Sequence, residues 1–294
     1  MNPNPVLKKL GYSNDDRLVI IHTDDIGMCH ASIQAFAELV AFGVISSGAT
    51  MVPSSWFPQV VAFCRHHPKV DMGVHLTLTS EWDNYRWSPV STRDLNSGMI
   101  DAEGYFYRQS EETQLNGNPE AIQTEIQTQV ERAVSAGIEV SHLDTHMNTV
   151  AHPKFINSYI QLALQYRLPF LFPRQDEAGF RKLGLDSEIA SIAAGLVNSL
   201  EEQGMPLVDY ASGLDLDKPL NRLEQAKQAL SNLPNGITHF IIHPSIETSE
   251  LKAITPDWQC RVADYKTFMD EKLHRHIEGI GVHIIGYKTL KYLL

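Results

Sequence analysis

Short apolar runs alternate with stretches whose apolar residues recur at helical spacing, and that alternation leaves the chain few architectures. Segments 18–25, 46–53, 72–79, 140–147, 168–174, 207–211, 238–245 and, more weakly, 283–287 read as buried strands. Between them, "HASIQAFAELVAFG" shows helical spacing and stops at Gly43, a C-cap candidate. "PEAIQTEIQTQVERAVSAG" repeats the plan, with Pro119 suited to the first turn and Gly137 closing the helix. "PKFINSYIQLALQYR" and "LNRLEQAKQALSNLPNG" follow the same pattern. The expectation is an α/β fold of mostly parallel strands, a closed or nearly closed, TIM-like (β/α) barrel, with an open doubly wound sheet as the alternative. No G-x-G-x-x-G follows the first strand, which counts against a nucleotide-binding version. No Ser/Gly linker, repeat or low-complexity tract divides the 294 residues, so a single domain over 1–294 is expected. Two stretches break the rhythm. Residues 81–118 form a long, turn-rich and aromatic excursion, and residues 247–270 a second irregular patch.

Charge and cysteine use narrow the partners. A formal net charge of −11 argues against nucleic acid or an anionic membrane, both of which need basic patches. The three cysteines, Cys29, Cys64 and Cys260, are far apart and form no CxxC pair, which fits a reducing compartment and no disulfide framework. The N-terminus lacks an apolar h-region, and no apolar run approaches the roughly 20 residues that span a bilayer. A cytoplasmic location, a small-molecule or oligosaccharide substrate, and room for a homo-oligomer are the resulting expectations.

Titratable residues gather where strands end, which is where sites form in parallel α/β folds. The first strand ends in Asp24 and Asp25, the third holds His75, and the fourth carries "SHLDTHMN" with His142, Asp144 and His146. The fifth ends in Arg174, the sixth in Asp209, and the seventh in His243. Each has a plainer explanation: the two aspartates could cap the helix near His30, His75 could be a satisfied core histidine, and His243 could merely precede Pro244. "HLDTH" is harder to dismiss, because His142, Asp144 and His146 would alternate onto one strand face, and burying them together is expensive without pairing or a metal. A carboxylate with two imidazoles suits a divalent ion with open positions. Neighbouring strand residues point to opposite sides, so one of the paired aspartates would hold the metal and the other take a proton.

"IIHTDDIGMCHASIQAF", "GVHLTLT", "HLDTHM" and "FIIHPS" together resemble, in order, the motifs of the YdjC-like carbohydrate deacetylases, a family with chitooligosaccharide deacetylases and relatives acting on hopanoid precursors. The resemblance implies an irregular β/α barrel and metal-dependent removal of N-acetyl groups from amino sugars. It implies one divalent ion, Mg or Zn foremost and Mn, Co or Ni as substitutes, held by Asp25, His75 and His146. By the same resemblance, Asp24 is the base that activates the metal-bound water and His243 the acid that protonates the leaving amine. Two departures bear on substrate: Met147, Asn148, Thr149 and Val150 stand where many relatives have further histidines, and Ser245 where they commonly have Gly. Arg174, by its strand-end position alone, is a candidate to orient Asp24 or bind substrate. Trp82 and Trp87 are further candidates, since aromatic faces pack on sugar rings, although the excursion could simply cover the barrel mouth. The alternative function is hydrolysis of another amide, an ester or a phosphoester on the same scaffold. A facial-triad oxygenase, suggested by His142-x-Asp144, and a non-enzymatic sugar binder are weaker rivals.

Overall fold

A computed structural model describes residues 2–294. Seven strands form one sheet: β1 (Arg17–Ile26), β2 (Ser47–Thr50), β3 (Met72–Leu76), β4 (Val140–Thr145), β5 (Tyr210–Gly213), β6 (Gly236–Ile242) and β7 (Val282–Ile284). Their order is β4-β3-β2-β1-β6-β5, and all the pairings are parallel. β1 is the hub. One edge carries β6 along 17–23, while the other is shared by β7 near Arg17 and β2 near Thr23.

The run at 168–174 does not become a regular strand. Pro169 and Pro173 lack the N–H that a ladder needs, so only an isolated bridge joins Leu143 to Phe170. Single bonds carry the pattern onward: Leu171 N donates to Leu143 O (3.0 Å), Arg174 N to Val208 O (2.7 Å) and Asp209 N to Ile237 O (2.8 Å). The fold is thus mixed α/β, with a mostly parallel sheet and a barrel-like core.

Strand alternation sorts the side chains. Val19 and Ile21 of β1 and Phe240 and Ile242 of β6 join the main apolar cluster with the helices. Leu18, Ile20 and Ile237 belong to a second cluster with Val6, Leu7, Tyr287 and Leu290. His22 and Asp24 continue the phase of Leu18 and Ile20, so one face of β1 passes from apolar to ionisable along its length.

Helices form where the spacing places them. His30–Phe42 ends at Gly43, whose φ of 86° is the left-handed conformation of a C-cap. Pro119–Ser135 opens on Asn118, whose side chain accepts from Glu120 N and Ala121 N. Ile156–Tyr166 and Arg222–Ser231 occupy the other two expected stretches. The patch at 247–270, expected to be irregular, is instead two helices, Ser249–Ile254 and Trp258–Phe268. Arg261, Asp264 and Thr267 lie on the buried face of the second, so apolar periodicity could not mark it.

The 81–118 excursion contains the helix Ser110–Asn116 and an antiparallel bridge from Ile100 to Phe106. It is pinned to the rest of the fold by Ser80 N donating to Tyr107 O (2.8 Å), by Glu125 of the helix Pro119–Ser135 accepting from Val90 N (3.0 Å) and Ser91 N (2.8 Å), and by buried Trp82, Trp87 and Phe106. Cys29, Cys64 and Cys260 are buried free thiols. Among the described residues, no helix is long and apolar enough to cross a membrane.

Phe240 is fully buried on the helix-facing side of β6. Phe240→Ala is expected to lower unfolding stability by about 3–5 kcal/mol, measured by denaturant titration.

Candidate functional site

The C-terminal end of β1 is where the backbone departs from regular strand. Register against β2 shifts between Thr23 and Ile26, and Asp25 adopts a φ of 59°, a left-handed conformation that aspartate tolerates better than most residues. Gly27 follows with a φ of 91°, and Met28 N donates to Asp25 O (3.1 Å), closing a tight turn. Asp24 and Asp25 therefore do not face opposite sides as a straight strand would require. Both reach the same group, Asp25 Oδ1 at 3.4 Å and Asp24 Oδ2 at 3.9 Å from His75 Nε2. Neither caps the following helix, whose N-cap is Cys29.

His75 lies on β3 directly beside Asp144 of β4, while His146 falls just past the end of β4, at the start of the turn His146–Ala151. Its departure from the strand turns His146 toward Asp25, whereas His142 stays deeper in the sheet interior. The three "HLDTH" side chains thus reach different partners in the same interior: His142 meets His22 (2.8 Å), Asp144 meets His75 (3.1 Å) and His146 meets Asp25 (3.1 Å).

Asp25 Oδ1, His75 Nε2 and His146 Nδ1 form a compact triangle. Its sides are 3.4 Å from Asp25 to His75, 3.1 Å from Asp25 to His146 and 3.3 Å from His75 to His146. Donors about 2.0–2.2 Å from one divalent ion lie at such mutual separations, so the residues fit a metal. Asp25 Oδ1 is also buried, faced by these two imidazole nitrogens, a donor set that suits a cation.

Each of the three donors is held from behind. Arg261 Nη1 donates to Asp25 Oδ2 (2.8 Å), His75 Nδ1 meets Asp144 Oδ2 (3.1 Å), and His146 Nε2 meets Glu81 Oε2 (3.1 Å). Such outer partners fix which ring nitrogen is free to bind. Arg261 is itself clamped by Asp257 at 2.7 and 3.1 Å.

The ionisation states follow from this packing. Burial would raise Asp25, but Arg261 and His146 outweigh it and hold the carboxyl well below its ordinary range. Burial, then the neighbouring Asp144 charge, lifts Asp24 to about 6. Burial opposes charge on His75 and His146, yet the carboxylates win: His75 is raised well above its usual value by Asp144 and Asp24, and His146 to about 9 by Glu81 and Asp25.

A cavity of about 340 Å³ opens over the cluster, with Trp82, Met147, Asn148, Leu171, Leu216 and Ile241 in its wall. His243 also lines it, with Nε2 3.9 Å from Asp24 Oδ2 and Nδ1 buried without a partner. Asp24, Asp25, His75, His146, His243 and Trp82 are therefore brought together. Trp87 is not: its Nε1 donates to Thr79 O (2.7 Å), and its ring packs behind Trp82 and borders a separate groove. Arg174 is elsewhere too, bound to Glu201 (2.6 Å) and Asn2 O (2.8 Å) beside a different cavity, because the irregular 168–174 stretch carries it away. Sequence reasoning missed Glu81, hidden as the first residue of the excursion, and Arg261, hidden in a helix without apolar rhythm.

The YdjC-like protein family profile matches residues 18–279. A carbohydrate deacetylase of Thermus thermophilus is 30% identical over 92% of this chain and 92% of its own length. Another, from Thermoanaerobacter pseudethanolicus, is 23% identical over 94% of this chain and all of the relative. The crystal structure of an Enterococcus faecalis V583 protein superposes with a TM-score of 0.75 at 21% identity, covering 94% of this chain and 99% of that one, and so shares the fold.

With His75 and His146 both raised, a metal taking these nitrogens should release protons and bind more tightly as pH rises from 6 to 9. Calorimetry in buffers of different ionisation enthalpy checks this. Glu81→Gln and Asp144→Asn should each weaken binding by about 10–100-fold.

Proposed function

This chain belongs to the YdjC-like protein family, and we propose that it is a metal-dependent hydrolase that removes N-acetyl groups from amino sugars or their oligosaccharides. The observation that carries the reading is a three-donor metal triangle with a second, differently ionised carboxylate 3.9 Å from one of its members. Asp25, His75 and His146 would hold the ion, and two imidazoles with one carboxylate suit Zn²⁺ or a similar transition ion better than the oxygen-preferring Mg²⁺. When bound, a divalent ion supplies Lewis acidity, polarising an amide carbonyl and acidifying water.

The chain's own residues supply the proton traffic. Asp24 is ionised above a pKa of about 6, so near neutrality its Oδ2 can accept a proton from an attacking water. His243 faces it across 3.9 Å. Burial lowers His243, with Asp25 and Asp24 opposing, so the imidazole enters the reaction neutral and is charged by a proton handed on from Asp24. His243 Nε2 then delivers that proton to the departing amine, without which an amide nitrogen leaves poorly. Arg261 fixes Asp25 as a permanent anion, and Trp82, whose ring lies 5.7 Å from the Arg261 guanidinium, offers an apolar face at the cavity wall for a sugar ring. The hydrogen bonds that carry the sheet across 168–174 complete, in this reading, a distorted barrel with the site at its mouth.

Acetate release from a panel of N-acetylated sugars, run on chelator-stripped protein and after restoring Zn, Mn, Co or Mg, tests the proposal. Release should appear only with metal. Asp24→Asn should lower kcat by about 10²–10⁴-fold while the protein still binds one equivalent of metal. Silence on every N-acetyl sugar, with turnover of an ester or phosphoester, would replace the substrate assignment.

A further inference from the structure

Behind Asp24 lies a buried chain of hydrogen bonds that the proposed chemistry leaves unused. Asp24 Oδ1 is 2.7 Å from His22 Nδ1, His22 Nε2 is 2.8 Å from His142 Nε2, and His142 Nδ1 is 2.8 Å from Ser141 Oγ. His22, His142 and Ser141 are wholly enclosed. An Nε2-to-Nε2 contact contains one proton, so the partners constrain one another. An ionised Asp24 can only accept, which makes His22 Nδ1 a donor and His22 Nε2 an acceptor. With both imidazoles neutral, His142 Nε2 then donates and its Nδ1 is left to accept from the Ser141 hydroxyl, for which Asp71 is the competing acceptor. The chain runs in one direction, toward Asp24.

The surroundings are shaped for it. A Cβ at Gly73 of β3 would lie 2.4–2.7 Å from three atoms of the His142 ring, so only glycine leaves room for that imidazole. Tyr287 stacks on the other face of His142, with centroids 3.9 Å apart and planes 12° apart. Burial keeps both imidazoles neutral, lowering His22 to about 4 and His142 well below its usual value.

We infer that His22 and His142 are positioning residues: a two-imidazole relay from Ser141 holds the inner oxygen of Asp24, leaving its outer oxygen aimed at the metal cluster and His243. The inference rests on the reading of Asp24 as the base. The competing occupant is a second cation, because donor atoms of His22, Asp24, Asp144 and His239 lie within 4.8 Å of one another and His239 Nε2 is buried without a partner. A cation there would need a bare His22 Nδ1, the opposite tautomer, and the 2.7 Å contact to Asp24 is that of a hydrogen bond.

Nitrogen-15 NMR of the Zn-loaded enzyme decides between them, with His22→Asn and His142→Gln assigning the signals. The relay requires His22 protonated on Nδ1 and His142 on Nε2. His22→Leu should lower kcat by about 100-fold with KM little changed. His22→Asn, which can still donate to Asp24 Oδ1, should recover about tenfold of that loss. His22 protonated on Nε2, a second bound metal equivalent that vanishes in His239→Ala, or no recovery in His22→Asn would each overturn the relay. If His22→Leu fails to fold, the tautomers of the unsubstituted enzyme decide alone. Full turnover in Asp24→Asn would instead remove the base, and with it the relay's purpose, while leaving the tautomers as found.

Discussion

Three donor atoms packed within 3.4 Å of one another, out of water and with a carboxylate among them, cannot be left without positive charge. Much of the polar architecture at this end of the sheet answers that requirement. Arg261 neutralises Asp25 from one side, and protons on His75 and His146 stand where a cation would otherwise sit. Asp144 and Glu81 then balance those imidazoles from behind. Each partner comes from a separate part of the chain, so the cluster ties β1, β3, β4, the aromatic excursion and the helix Trp258–Phe268 into one electrostatic unit.

Much of the fold was legible because burial writes itself into the sequence as period. Runs of branched residues at 18–25 and 238–245 mark the two strands that pair over seven residues at the centre of the sheet, and Gly43 and Pro119 mark real helix ends. The reading failed where periodicity and hydrogen-bond capacity part company. The 168–174 stretch is apolar enough for a strand, but its two prolines cannot donate. The helix Trp258–Phe268 buries Arg261 and Asp264, so its inner face looks like a surface.

At the site, Asp24, Asp25 and the histidines at 75, 146 and 243 were among the strand-end residues, and the family motifs singled them out. Their geometry did not. A straight strand would separate the adjacent aspartates, and only the left-handed turn at Asp25 brings both to His75. His22, two residues before Asp24 and on its face of β1, carried a readable signal in that spacing. Arg174 shows the opposite limit, since a strand-end position means little once the strand itself is irregular.

The Asp25–Arg261 bond joins residues 236 positions apart, and Arg261 arrives on the helix Trp258–Phe268. Asp25 is therefore without its guanidinium until a segment 236 residues further along the chain has docked. Closing so long a loop carries an entropy cost, though one that grows only slowly with its length. Asp25, His75 and His146 all precede Arg261 in the sequence, so the counterion comes from the latest of the segments that build the cluster. The charge that balances Asp25 is thus supplied by a distant segment, and the ionisation of the cluster is complete only once the helix Trp258–Phe268 is in place.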